Sequence, residues 1–368
     1  MNRLLAKAKK ALVVAWSLLF ATALLAACAY GRSPRAGLAP EVATSRGTAD
    51  PNKFAIVVSG VGGEEAYTKR FSSQAMRLCE QLTNHLHFPN GNVYLLTENG
   101  AGTAPGADDG FVDEHGPAAA VSTARSTAAE VRNTFARIKA AARPDSLVLI
   151  VLIGHGSFDN QQPKFNLVGP DLTAKDYAAL VAGLPAKRVV FIDCSSSSGE
   201  FIKPLSAEGR VIVTATRSGA EQNATVFAES LVAALTDKDT DTDKDGRLSM
   251  LEVFNYATRL TADWFKTKDL LAAEHALIDD NGDGTGHESA TDGDGELAAI
   301  TYLDSPTQAD GGGTAPDLLA KRQDLEEKIA KLKSRKAEMK PEEYDLALQP
   351  LLLELAKVDQ AIKARKKQ

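Results

Sequence analysis

Two residues that can act together in nucleophilic catalysis each follow an apolar run of the sequence. His155 comes shortly after Leu147–Ile153, and Cys194 comes directly after a second run. That second run is Arg188–Asp193, and residues 172–184 between the two runs have a helical pattern, which predicts a strand-helix-strand unit. Side chains that follow neighbouring parallel strands meet at the carboxyl edge of a sheet. A thiol beside an imidazole there can form the thiolate–imidazolium pair that attacks a peptide carbonyl.

Both runs are continuously apolar rather than alternating, which is typical of parallel strands that are covered on both faces. Strand and helix patterns continue to alternate from Lys53–Ser59 to a strand at 211–216, and they include an alanine-rich helix predicted over 122–142. We therefore expect an α/β fold with a mainly parallel sheet and helices on both faces. The net charge of −6 argues against nucleic acid as a partner.

The motif Gly154-His155-Gly156-Ser157 and the turn of Cys194 followed by four serines each end an apolar run. Together they resemble the caspase-like clan and, within it, the legumain-like cysteine peptidases. The stretches FAIVVSGVGG at 54–63 and VIVTATRSG at 211–219 are similar to the same family. The resemblance covers about residues 53–303, and it implies a caspase-like fold and a peptide or protein as substrate or partner.

The resemblance also implies roles for individual residues. His155 would act as general base and acid, and Cys194 would attack the peptide carbonyl. Backbone N–H groups near Gly156 and Cys194 would bind the oxyanion. Arg217 and Glu221 would line the substrate pocket, although an exposed charge pair in a loop explains these two residues equally well.

The nucleophile motif departs from the family pattern of an acidic residue, Ala and Cys, with Gly three residues after the Cys. Here Cys194 directly follows Asp193, and Gly199 lies five residues beyond it. Aligning Asp193 with the acidic residue puts Ser195 at the nucleophile position. A shift of one residue turns a strand side chain to the opposite face, so Cys194 is expected to point away from His155. Two functions follow: a calcium-binding cysteine endopeptidase with a Cys-His dyad, or an inactive relative that serves in binding or assembly.

A calcium loop is indicated by the spacing D-x-D-x-D-G-x5-E over residues 241–252, within an EF-hand-like segment at 224–268. The residues before and after it have helical patterns, and Gly246 permits the sharp turn. The alternative is an acidic surface loop without an ion. The predicted Ca²⁺ ligands are the side chains of Asp241, Asp243, Asp245, Ser249 and Glu252 and the carbonyl oxygen of Arg247.

A second acidic cluster, at 279–296, begins like another calcium loop. Asp279, Asn281 and Asp283 occupy the first, third and fifth positions, but the twelfth position is Ala290. Without the bidentate glutamate, a weaker calcium site and a plain acidic turn both fit the sequence. The preceding pair, Glu274-His275, resembles a stretch of bacterial relatives, and no chemistry is assigned to it.

The amino terminus has the pattern of a targeting segment. Residues 1–27 combine a basic start with an apolar run, and they end in Leu-Ala-Ala before Cys28. This resembles a bacterial lipoprotein box, in which Cys28 would carry the lipid. An ordinary signal peptide is the alternative. The prediction is a lipid-anchored protein of the bacterial cell envelope, with the outer membrane favoured, facing the periplasm through a tether at 28–52.

The carboxyl terminus has the pattern of paired helices. After a linker at 304–316, apolar residues recur at seven-residue and then alternating four- and three-residue spacings over 317–368. The pattern is interrupted near Lys340-Pro341. We therefore expect two helices that fold back on each other as an antiparallel hairpin.

Overall fold

The structure of the protein, a computed structural model, describes residues 49–100, 121–290, 293–304, 316–334, 336 and 339–365. The predicted signal peptide, the predicted lipidation site Cys28, most of the predicted tether and most of the predicted linker lie outside the described residues. The described residues belong to one unit, 46–368. None of the helices within this part of the chain is long and apolar enough to cross a membrane.

Seven strands of the described residues form one sheet, in the order β10-β9-β8-β4-β1-β2-β3, and three short strands form a second sheet in the order β5-β6-β7. In the large sheet, β10 pairs antiparallel with β9, and the other neighbours pair parallel. The strands are β1 (Lys53–Ser59), β2 (Val93–Thr97), β3 (Ser122–Arg125), β4 (Leu147–Ile153), β5 (Gly156–Phe158), β6 (Pro163–Phe165), β7 (Leu172–Thr173), β8 (Arg188–Asp193), β9 (Arg210–Thr214) and β10 (Leu277–Asp279).

Helices cover both faces of the large sheet. All seven residues of β4 are buried, and its side chains alternate between two apolar clusters. One cluster contains residues of α1, α5 and α6, and the other contains residues of α2, α3 and α4. The predicted α/β fold with helices on both faces is confirmed. The helices are α1 (Glu65–Asn84), α2 (Ala128–Ala141), α3 (Ala174–Ala182), α4 (Ile202–Leu205), α5 (Phe227–Ala234), α6 (Met250–Thr267), α7 (Glu296–Ala299), α8 (Pro316–Ser334) and α9 (Pro341–Arg365).

The helix predicted over 122–142 is wrong at its amino-terminal end. Its first residues form β3, which pairs in parallel with β2 from Ser122 to Arg125. The helix begins later because the Thr127 hydroxyl accepts the Glu130 N–H as an N-cap. Alanine-rich composition favours a helix locally, and the pairing of these residues at the sheet edge overrides that preference.

The C-terminal hairpin, formed by α8 and α9, is confirmed as antiparallel. Lys321 near the start of α8 binds Glu354 far along α9, at 2.6 Å. Leu325, Val358 and Ile362 form the centre of a small apolar cluster between the two helices. This cluster is separate from the two that cover the sheet, so contacts outside it attach the hairpin to the α/β domain.

Candidate functional site

The two predicted catalytic residues lie at adjacent strand ends but at different depths. The parallel register pairs Leu152 of β4 with Asp193 of β8, and the Cys194 N–H donates to the Leu152 carbonyl at 2.8 Å. Cys194 therefore lies beside Ile153, whereas His155 lies two residues further along the chain, and the next residue, Gly156, is hydrogen-bonded to Ser196. Along the strand direction, Cys194 therefore lies two residues further from the carboxyl edge of the sheet than His155.

The Cys194 side chain lies in the core. It is 1% exposed and belongs to the apolar cluster that also contains Ile153 and Phe227. Burial raises the pKa of the Cys194 thiol well above its usual range, and the charges of Asp193 and Glu274 act in the same direction. The thiolate is the attacking form of cysteine. This environment keeps the thiol protonated and out of reach of a substrate.

The sequence predicted that Cys194 points away from His155, whereas the two side chains lie on the same side of the sheet. Cys194 shares its apolar cluster with Phe71 of α1, and the His155 ring packs against that same Phe71. Both side chains are thus on the α1 side of the sheet. Alternation along a strand places Asp193, rather than Cys194, on the opposite face. The two residues differ in their position along the strands rather than in the face of the sheet that they occupy.

The His155 ring is held by aromatic residues of α1. Its centroid lies 4.9 Å from that of Tyr67 and 5.0 Å from that of Phe71, both in edge-to-face geometry. Burial lowers the pKa of His155, a backbone hydrogen bond with Gly62 acts in the opposite direction, and the Arg70 charge lowers the pKa further. Burial against these rings therefore favours the neutral form of the imidazole.

Gly156, the predicted oxyanion residue, is bonded to the serine turn. Its N–H donates to the Ser196 hydroxyl at 3.1 Å, and that hydroxyl donates to the Gly156 carbonyl at 3.1 Å. A Cβ atom at Gly156 would lie 2.2 Å from the Ser196 carbonyl oxygen, which explains the glycine by packing alone. The Gly156 N–H is therefore already used within the fold.

The serines after Cys194 also serve the fold. Ser195, the alternative nucleophile position, is completely buried, and its N–H donates to Asp193 Oδ1 at 2.9 Å. Ser197 has a positive φ of 59°, and its hydroxyl donates to the Gly219 carbonyl at 3.1 Å. The Ser198 hydroxyl lies 3.1 Å from that of Thr216. None of these hydroxyls is exposed beside the His155 imidazole.

Arg217 and Glu221 are brought together. Arg217 Nε lies 3.2 Å from Glu221 Oε1, and the same oxygen lies 2.5 Å from His275 Nδ1. Arg217 Nη1 is also 3.7 Å from Glu288. Sequence reasoning missed His275 and Glu288 as neighbours, and the unassigned Glu274-His275 pair was the available signal. The group forms a charged surface at the carboxyl edge of β9.

Two buried carboxyl groups flank this edge. Burial raises the pKa of Asp193 to about 7, and its Oδ2 has no hydrogen-bond partner among the described residues. Burial also raises the pKa of Glu274 to about 7. Glu274 accepts the N–H groups of Val226 and Phe227 at 2.8 and 2.7 Å, where α5 begins. Both carboxyl groups hold a proton more tightly in the folded state than in the unfolded state.

These raised pKa values predict a pH dependence of stability. Between pH 3.8 and about 7, folded Asp193 binds more proton than unfolded Asp193, so its contribution to the free energy of unfolding falls as pH rises. Asp193→Asn removes this contribution. Between pH 5 and pH 7.5, we expect the free energy of unfolding of wild type to fall by roughly 2 kcal/mol relative to that of Asp193→Asn. Urea unfolding of both proteins at the two pH values measures the difference, and a constant difference would contradict the prediction.

The predicted calcium loop brings carboxylates together. Ligand atoms of Asp241, Asp243 and Glu252 all lie within 4.8 Å of one another. The Gly246 N–H donates to Asp241 Oδ2 at 3.1 Å, and the other Asp241 oxygen is buried without a hydrogen-bond partner in the described residues. The positive φ of 82° at Gly246 makes the sharp turn that such a loop needs.

The remaining predicted ligands are held by contacts within and beyond the loop. The Ser249 hydroxyl donates to Glu252 Oε2 at 2.8 Å, in a capping box that begins α6. Asp245 Oδ1 accepts the Arg247 N–H at 2.7 Å, and Asp245 Oδ2 lies 3.0 Å from Nη2 of Arg322 on α8. No sequence pattern predicted this last contact.

The second acidic cluster uses its oxygens on the backbone. Asp279 accepts the N–H groups of Gly282 and Gly284 at 3.2 and 3.1 Å. Asn281 Nδ2 donates to Asp283 at 3.2 Å. In the part of the chain that the structure describes, the 279–283 residues form no group of three convergent acidic or histidine ligands, whereas the 241–252 loop does. These hydrogen bonds hold the turn in place.

Comparisons with known proteins add little to this geometry. No family model and no curated protein matches the sequence. A solved structure, protein GSU0716 from Geobacter sulfurreducens, is similar at 10% identity over 62% of this chain and 92% of that chain, with a TM-score of 0.38. At that score the likeness carries no argument about function.

Proposed function

We propose that this protein is a calcium-binding module built on a caspase-like α/β domain whose cysteine dyad is inactive, and that it acts by binding a protein or peptide partner. The convergence of Asp241, Asp243 and Glu252 within 4.8 Å carries the proposal. Calcium prefers several oxygen ligands, including a bidentate carboxylate, and the loop offers them in sequence order. A bound ion would offset part of the negative charge of the clustered carboxylates, and Asp241, Asp243 and Glu252 would hold it between α6 and the preceding loop.

Calorimetric titration of the chain with calcium tests this proposal. One site per chain is the expected result, with Asp241, Asp243, Asp245, Ser249, Glu252 and the Arg247 carbonyl as its ligands. A titration without heat of binding, together with a melting temperature that calcium leaves unchanged, would overturn it.

A cysteine endopeptidase is the second candidate. It is favoured by one observation: Cys194 and the His155 ring both pack on the α1 side of the sheet, at neighbouring strand ends. Catalysis would require the serine turn to open, because the thiol is buried and the Gly156 N–H is bonded to Ser196. The inactive module needs no such rearrangement, and we therefore place it first.

We also propose that the protein acts at the bacterial cell envelope, where a lipid on Cys28 anchors it. Cys28→Ser is expected to move the protein from the membrane fraction to the soluble fraction, since the lipid supplies the membrane affinity. Fractionation with fatty-acid labelling measures this. Wild type that carries no label, or a variant that stays in the membrane, would contradict the lipid anchor.

A further inference from the structure

Arg322 of the C-terminal hairpin binds one carboxylate oxygen of Asp245, a predicted calcium ligand. Its Nη2 atom lies 3.0 Å from Asp245 Oδ2, and the two side chains are only 21% and 16% exposed. The other Asp245 oxygen already accepts the Arg247 N–H. The oxygen that Asp245 can offer to a cation is therefore the one that the guanidinium occupies.

Asp245 is also the carboxylate missing from the convergent group. Ligand atoms of Asp241, Asp243 and Glu252 lie together, and Asp245, the fifth-position residue, is not among them. Loops of this type use the first, third and fifth positions together. A calcium ion that completes its ligand set must therefore draw Asp245 Oδ2 away from Arg322 or share it with a positively charged neighbour.

The same contact helps to attach the hairpin. Exposed ion pairs contribute little to stability, so the most shielded pair matters most. Arg322–Asp245 is more shielded than the other described ion pairs between the hairpin and the α/β domain, in which at least one partner is 45% exposed or more. Those other pairs are Arg188–Glu327 and Lys333–Glu296.

We propose that calcium and Arg322 compete for Asp245, so that calcium binding loosens the hairpin from the α/β domain. This rests on the proposed calcium site. The doubly charged ion also repels the guanidinium across a few ångströms. Once released, Arg322 keeps partners on its own hairpin, because its Nε lies 2.8 Å from Glu326 and 3.4 Å from Asp359. The Arg322 charge therefore keeps ion-pair partners, which lowers the free-energy cost of breaking its contact with Asp245.

Coupling of this kind is reciprocal. If calcium weakens docking of the hairpin by some factor, docking of the hairpin weakens calcium binding by the same factor. Arg322→Ala in the full chain is expected to tighten calcium binding by about fivefold or more in calorimetric titration. Lys333→Ala is the matched control. It removes the same charge and another hairpin contact, at 2.8 Å from Glu296, without touching the loop. Its calcium affinity should stay within about twofold of wild type.

Hydrogen exchange of the wild-type chain gives a second readout that needs no variant. Calcium should increase exchange in α8 and decrease it in α6. Unchanged or weaker affinity in Arg322→Ala, or α8 exchange that calcium slows, would overturn the competition. If Glu252→Gln still abolishes calcium binding in that case, the calcium site is supported and only its competition with Arg322 is wrong. Wild type that binds no calcium would overturn both proposals.

Discussion

Glu252→Gln is expected to weaken calcium binding by more than about 100-fold. The glutamate at this position normally holds the ion with both oxygens, and an amide offers one uncharged oxygen. Mutating a residue that only hydrogen-bonds a metal ligand already lowers metal affinity about 10–100-fold. Loss of a direct bidentate ligand should therefore lower calcium affinity by more than that. Glutamine also suits the capping box with Ser249, so the start of α6 should be preserved.

Calorimetry measures the affinity, and thermal unfolding gives an independent readout. At calcium concentrations near 100 times the dissociation constant, wild type should gain about 2.7 kcal/mol of stability, or roughly 5 °C. Glu65→Gln is the control, because Glu65 is an exposed residue of α1 that pairs with Lys69 at 3.1 Å. It carries the same change in charge and should behave as wild type. Normal binding by Glu252→Gln would place the ion elsewhere.

Cys194 is expected to react with iodoacetamide at least about 1,000-fold more slowly in the native protein than in denaturant. Its thiol is 1% exposed and has a raised pKa, so alkylation must wait for the strand end to open. His155→Ala should leave the native rate unchanged, because in the proposed inactive module the imidazole does not activate the thiol. Mass spectrometry of timed samples near neutral pH gives the rate, and a peptide library tests cleavage with and without calcium.

Cys79 provides an internal control for this experiment. It is a second free and buried thiol, on α1, and burial also raises its pKa. Single Cys79→Ala and Cys194→Ala variants separate the two rates, which should be similarly slow. Rapid alkylation of Cys194 alone that disappears in His155→Ala, together with peptide cleavage, would favour the endopeptidase over the inactive module.

Continuous apolar runs predicted the central strands with the bounds that the structure has: Lys53–Ser59, Leu147–Ile153 and Arg188–Asp193. The reason is physical, because a parallel strand covered by helices on both faces has apolar side chains in succession through its middle. The C-terminal repeat likewise predicted an antiparallel hairpin. Local spacing also predicted that Asp241, Asp243 and Glu252 lie together, since residues of a tight loop stay close however the rest of the chain folds.

Tertiary structure decided which of these residues can act. The sequence placed Cys194 and His155 at adjacent strand ends, but the pairing of Leu152 with Asp193 sets the thiol deeper than the imidazole. Helix packing then closes over the thiol. Strand-end position is a local property, whereas depth depends on register and on what covers the face.

The contact between Arg322 and Asp245 also belongs to tertiary structure alone. The two residues are 77 positions apart. A spacing rule describes what one loop or helix brings together, and it contains nothing about which distant side chain docks on that loop. The sequence therefore determined that residues 241–252 can offer oxygen ligands in order. Only the folded chain places a guanidinium on the fifth-position carboxylate, and the proposed competition with calcium depends on that contact.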